Sequence, residues 1–124
     1  DLILLIISSN DLFHFTNKND FRKSTVAVLN KFAPNSKKLI IVGPGRVFEG
    51  EALPFPIRPI YKMKGKDYSV ILKEESGKFS NVVYVNPLDA KALRSNYKET
   101  LASDKFHPSD EGYQFWFDLI KEKL

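Results

Sequence analysis

Leu2-Ile3-Leu4-Leu5-Ile6-Ile7-Ser8-Ser9-Asn10-Asp11 opens the chain with an unbroken apolar run that stops abruptly at four small polar residues. The run is far shorter than the roughly 20 residues needed to span a bilayer, and the acid Asp1 precedes it where a leader would carry basic residues. It is apolar at every position, without alternation, which suits a strand buried on both faces of a parallel sheet. Open α/β sheets bind their ligands at the carboxyl ends of such strands. Ser8 to Asp11 are therefore expected at that edge. The alternative is a plain turn, since Asn and Asp tolerate left-handed backbone and bond to their own main chain.

Working outward, Leu39 to Val42 form a second apolar strand stopped by Gly43-Pro44-Gly45, and Val82 to Val85 a third, ended by Asn86-Pro87. Between the first two, a loop over Leu12 to Lys18 leads to a helix capped by Asn19 or Asp20. Phe21, Thr25, Val28, Leu29 and Phe32 recur along it at helical spacing, and Ala33-Pro34-Asn35 ends it. A second helix is expected over Tyr61 to Ser76, with Tyr68, Ile71 and Leu72 inward and Gly77 as its stop. A partial helix is expected around Asp89 to Tyr97. A last helix from Ser109 to Lys123 carries Tyr113, Trp116, Phe117, Ile120 and Leu124 as a stripe for the core. Strands alternating with helices make parallel crossovers, hence an α/β fold. Prolines at 44, 54, 56 and 59 predict an irregular segment from Pro44 to about Tyr61. It either walls a pocket with Val47, Phe48, Leu53 and Phe55 or is a surface excursion. Gly43-Pro44-Gly45 lacks the lysine of a phosphate loop.

Composition narrows the function classes. The 124 residues suit one domain, with 43% hydrophobic and 27% charged residues. The net charge of +4 comes from lysines spread along the chain, with no dense basic block interleaved with aromatics, so no nucleic-acid groove is expected. Cysteine is absent and there are two histidines, His14 and His107, which excludes disulfide scaffolds, thiolate sites and histidine-rich metal centres.

The chemistry concentrates near the end, in Ser103-Asp104-Lys105-Phe106-His107-Pro108-Ser109-Asp110-Glu111-Gly112-Tyr113. An acid three residues before a histidine can meet its imidazole within one turn. In a nucleophilic triad such an acid fixes the tautomer of the base and stabilises the imidazolium. Pro108 biases His107 towards extended backbone, and Ser109 suits the cap of the following helix, with Asp110 and Glu111 in its first turn. A surface turn with an exposed histidine is the bland alternative.

Together the two ends resemble the SGNH (GDSL-like) hydrolase family of esterases and lipases. Ser8 to Asp11 match its Gly-x-Asn-Asp block, with Ser8 in place of the usual glycine, and Asp104 and His107 match its Asp-x-x-His block. The resemblance implies a three-layer sandwich around a parallel, flavodoxin-like sheet of five strands, of which this chain supplies about three with their helices. It also implies a serine esterase with Asn10 as oxyanion donor, His107 as base and Asp104 as its orienter, acting on a small-molecule ester without metal or organic cofactor. Asp11 is expected to be a structural partner to nearby backbone amides, and His14 a partly buried structural histidine. Ser8 and Ser9 lie in the oxyanion block and are poor nucleophiles. No Gly-Asp-Ser occurs, so no nucleophile is assigned in this chain. The expectation is that residues 1–124 form the C-terminal part of a single domain, lacking about two strand-helix units or roughly 60 residues. Exposing Leu2 to Ile7 at roughly 1.5 to 3 kcal/mol per side chain would cost as much as a domain's whole stability. An N-terminal segment of the same domain, or self-association, is therefore expected to cover the first strand. Two other readings stay open: an inactive domain of this fold that binds carbohydrate or protein, and an unrelated flavodoxin-like binding module.

Overall fold

The computed structural model describes residues 1–45, 53–87, 100–105 and 107–124. Strands β1 (Leu2–Ile6), β2 (Lys38–Val42) and β3 (Val82–Val85) form one sheet in the order β1-β2-β3, and both pairings are parallel. Helices α1 (Ser9–Phe13), α2 (Lys18–Phe32), α3 (Arg58–Ser76) and α4 (Asp110–Lys121) connect and cover it. This is the α/β architecture with a parallel sheet that the apolar runs imply. Val47, Phe48 and the expected helix at 89–97 lie outside the described residues.

Side chains alternate across a strand, so the register divides the sheet's apolar residues between two faces. Ile3 pairs with Leu39 and Leu5 with Ile41, and this set packs with Phe21, Leu29, Tyr68 and Leu72 of α2 and α3. Phe21 and Tyr68 stack with ring centroids 3.9 Å apart. Leu4 pairs with Ile40 and Ile6 with Val42 on the opposite face, where Ile40, Val42 and Val85 meet Trp116, Leu119 and Ile120 of α4.

Three boundaries differ from the sequence reading, each for a local reason. The expected loop after β1 begins as the short helix α1, because Leu12 is fully buried and pulls the chain onto the α2/α3 face. The start of α2 moves back to Asn17, whose side-chain carbonyl accepts from the Asp20 amide at 3.0 Å. Proline does not delay α3 to Tyr61: Pro59 sits in its first turn, where the missing N–H has no intrahelical partner to lose. The α3 C-cap is Gly77 as expected, but in right-handed conformation (φ −64°).

The α4 stripe is split. Trp116 and Ile120 lie on the sheet, whereas Tyr113, Phe117 and Leu124 are exposed, which corrects the expectation that all five are core. The reason is reach. α4 covers β2 and β3 but not β1, whose Leu2, Leu4 and Ile6 remain 52%, 45% and 56% exposed. Its direction follows from its contacts. A Cβ on Gly45, just past the carboxyl end of β2, would lie 2.5 Å from the Trp116 ring, whereas Lys38 at the other end of β2 donates through Nζ to the Leu124 carbonyl at 3.0 Å. Thus α4 runs antiparallel to the strands, and its amino terminus stands at their carboxyl edge.

Candidate active site at the carboxyl edge of the sheet

The Asp104–His107 turn is built by main-chain bonds that leave little choice of conformation. Ala102 N–H donates to the His107 carbonyl at 2.8 Å, Ser109 N–H to the Thr100 carbonyl at 3.0 Å, and Leu101 bridges Pro108 in antiparallel fashion. The tip closes as Lys105 N–H donates to the Ala102 carbonyl at 2.9 Å, with Lys105 in the left-handed region (φ 58°). The loop is then locked to α4: Gly112 lies so close to it that an added Cβ would come within 2.2 Å of the Thr100 carbonyl oxygen. Ser109 caps the helix as expected, its Oγ accepting from the Gly112 amide at 3.2 Å. The Glu111 carboxyl is held below the usual carboxylate range by its own backbone amide and the Ser109 hydroxyl.

Within this turn Asp104 uses both carboxylate oxygens on His107. Oδ1 accepts the backbone N–H at 3.0 Å and Oδ2 lies 2.6 Å from Nδ1. The pairing fixes the ring against the loop and makes Nδ1–H the natural tautomer. The side chains are 65% (His107) and 50% (Asp104) exposed, so in the chain as described the pair is open to water.

The other block sits on the same edge. β1 runs parallel to β2 and delivers Ser8 to the start of α1, with Asn10 exposed in its first turn. Ser8 is nearly buried and has φ 85°, ψ −14°, a left-handed conformation that glycine adopts without the Cβ penalty. Asp11 anchors the turn through its backbone carbonyl, which accepts from Thr16 N–H at 3.0 Å, and the Tyr68 hydroxyl donates to the Thr16 carbonyl at 2.5 Å with the Asp11 carbonyl 3.2 Å away. Burial, reinforced by the Asp11 charge, pushes the Tyr68 phenol up to about 12, so it stays a donor there. His14 is exposed at the end of α1, not partly buried as expected: it follows the one-turn helix whose inward position is taken by Leu12.

The floor between the blocks was not foreseen. Gly43 and Gly45 flank the buried Pro44, and their missing side chains admit two rings from opposite faces. A Cβ on Gly43 would lie 2.5 Å from the Tyr84 hydroxyl oxygen, and one on Gly45 would meet Trp116 at the same separation. The glycine pair directly after a buried strand was the signal for such a close approach. Leu53, offered as pocket lining, is buried in the α2/α3 core, and Phe55 stands out in solvent. Among the described residues no group of three His, Cys, Asp or Glu side chains is arranged to hold a metal ion, and no helix is long and apolar enough to cross a membrane.

The fold has solved counterparts. LAE5, an alpha/beta hydrolase enzyme from the metagenome of Lake Arreo, Spain, matches with a TM-score of 0.73 at 17% identity over 97% of this chain and 57% of its own. A catalytic mutant of Axe2, an acetylxylan esterase from Geobacillus stearothermophilus, matches with a TM-score of 0.72 at 19% identity over 98% of this chain and 58% of its own. The chain thus spans a little over half the length of these neighbours, whose likeness at such identity is one of fold. No curated protein sequence matches it significantly. The family model described as GDSL-like Lipase/Acylhydrolase matches residues 1–120, nearly the whole chain, including both polar blocks at the sheet's carboxyl edge; the chain belongs to that family.

Proposed function

We propose that this chain is the C-terminal part of a single serine-esterase domain and supplies the base, its orienter and one oxyanion donor. The carrying observation is the Asp104 Oδ2 to His107 Nδ1 contact of 2.6 Å, on a loop pinned to the start of α4 at the edge where β1 delivers Asn10. A serine hydroxyl from outside the chain attacks the ester carbonyl while His107 Nε2 takes its proton. The tetrahedral oxyanion accepts a hydrogen bond from the Asn10 side-chain amide. The intermediate collapses as the alkoxide leaves with the proton from Nε2, and a water then repeats the cycle on the acyl-serine and restores the free hydroxyl. Asp104 holds the tautomer and stabilises the imidazolium in both halves.

The proposed serine-bearing piece is an N-terminal segment of the same domain. It would pair with β1, the outer strand of the sheet among the described residues, and bury Leu2, Leu4 and Ile6; self-association through that edge is the alternative cover. The family and the acetylxylan esterase neighbour support a small-molecule ester as substrate.

Turnover of a short-chain p-nitrophenyl ester by the natural full-length protein tests this. His107→Ala should lower kcat by on the order of a millionfold, and Asn10→Ala by on the order of a hundredfold to a thousandfold. Unchanged turnover in both variants removes the assigned roles. An inactive parent points instead to a binding domain of the same fold. The 124-residue chain alone should not hydrolyse the ester, and turnover by it would mean that the nucleophile lies within it.

A further inference from the structure

The amino-terminal end of α3 combines exposed apolar side chains with neighbouring cations. Phe55, on a turn between Pro54 and Pro56, is 80% exposed, and Met63 is 63% exposed; Ile60, one turn before Met63, is also open. From Arg58 to Asp67 the sequence places four cations, Arg58, Lys62, Lys64 and Lys66, against the single acid Asp67, which is itself paired with Lys18 at 2.8 Å. Phe15, in left-handed backbone (φ 51°), leans edge-on against Tyr61 with centroids 4.9 Å apart, and the Lys64 ammonium lies 5.6 Å from its ring centroid.

These features share one place in the fold. α3 leaves from the carboxyl end of β2 and returns to the start of β3, so its first turns stand at the edge that holds Asn10 and the Asp104–His107 loop. Two prolines hold Phe55 in a restricted backbone, which lowers the conformational cost of inserting its ring into another phase. Apolar groups interleaved with lysines are the composition of a surface that lies on an anionic lipid interface, where the rings and aliphatic tips enter the acyl boundary and the ammonium groups meet head-group phosphates. A sugar-binding platform would want flat rings, whereas Ile60 and Met63 offer none.

We propose that Phe15, Phe55, Ile60 and Met63, flanked by Lys62 and Lys66, form a peripheral docking lip that seats the sheet's carboxyl edge on an anionic lipid surface. Under the esterase reading above, on which this consequence rests, the substrates are esters held at that interface. The docking itself does not depend on turnover.

Cosedimentation of the natural full-length protein with phosphatidylcholine vesicles, with and without 30% phosphatidylglycerol, tests it. Binding should be at least about tenfold stronger to the anionic vesicles and should fall with added salt. Phe55→Ser with Met63→Ser, both exposed and hence harmless to folding, should weaken it by on the order of tenfold or more, and Lys62→Glu with Lys66→Glu similarly. His107→Ala should bind as the parent does, so a failure of the esterase reading leaves this result intact. The proposal is overturned if neither vesicle is bound at low salt, if the Phe55/Met63 variant binds unchanged, or if that variant loses affinity only for an acetylated polysaccharide.

Discussion

The two faces of the sheet are built from the same three strands and end differently. On the α2/α3 side Leu39, Ile41, Leu29, Leu72 and Tyr68 are fully or almost fully buried; on the α4 side Ile40 and Val42 are equally buried while Leu2, Leu4 and Ile6 are half open. β1 contributes to both with equally apolar residues, so the difference lies in the helices available to cover it. Among the described residues α4 alone serves the open side, and its reach stops at β2. The site turn belongs to that helix, so the less complete layer is the one that carries His107.

The sharpest test compares equivalent truncations on the two faces. Ile41→Ala removes a fully buried side chain and should cost about 2 to 5 kcal/mol. Leu4→Ala removes one already 45% exposed and should cost about 1 kcal/mol in the isolated chain. Urea midpoints read both. The covering segment proposed above, when present, should raise the cost of Leu4→Ala towards that of Ile41→Ala; equal costs in the 124-residue chain would break the comparison outright.

A second test addresses what holds α4 down. Gly45→Ala pushes a methyl into a stiff indole, and overpacking of this kind costs about 1 to 3 kcal/mol. Trp116 is the one tryptophan in the chain, so its fluorescence and near-ultraviolet circular dichroism report the displacement directly. An unchanged signal and midpoint would mean that the contact does not anchor the helix.

The sealed face also has an ionic clasp that the open one lacks among the described residues. Glu75 on α3, 3% exposed, bonds Arg22 of α2 and Lys78, and Arg22 reaches Glu74 at 2.7 Å. Lys78, then Arg22, hold the Glu75 carboxyl below its ordinary range. Because Arg22 and Lys78 are 42% and 63% exposed, screening limits the gain, and Glu75→Gln should cost about 1 to 2 kcal/mol at neutral pH. The native state then binds fewer protons than the unfolded chain. The advantage of the parent over Glu75→Gln is complete above the ordinary glutamate value of about 4.3 and is lost as pH falls through the depressed native one. Melting temperatures of both proteins between pH 7 and 2 should converge at the acid end; a constant gap would assign the loss to packing.

Much of this was legible in the sequence because the relevant signals are local. Leu2 to Ile7, Leu39 to Val42 and Val82 to Val85 announce buried strands by being apolar on every residue, and Asp104-x-x-His107 closes within a single turn. What was not legible depends on partners distant along the chain. Nothing in Tyr113 and Phe117 distinguishes them from Trp116 and Ile120 until α4 is seen to stop short of β1. Gly43 and Gly45 look like simple terminators until Tyr84 and Trp116 arrive from 40 to 70 residues later. That Asn10 and His107 stand at the same edge of the sheet likewise follows from the antiparallel run of α4, which Trp116 against Gly45 and Lys38 against Leu124 fix.

The smallest expected effect lies at Ser8, where the two faces of β1 end and the site begins. Its left-handed backbone costs a non-glycine residue roughly 1 to 2 kcal/mol, while glycine loses roughly 0.5 to 1 kcal/mol more on leaving the unfolded ensemble. Ser8→Gly also deletes the hydroxyl that bonds the Ile7 carbonyl. The balance is a stabilisation of a few tenths to about 1 kcal/mol, or a rise of a few degrees in melting temperature. A fall in melting temperature would mean that the Ser8 hydroxyl contributes more than its backbone strain costs, so that this nearly buried serine holds the end of β1 and the start of α1 together through its side chain.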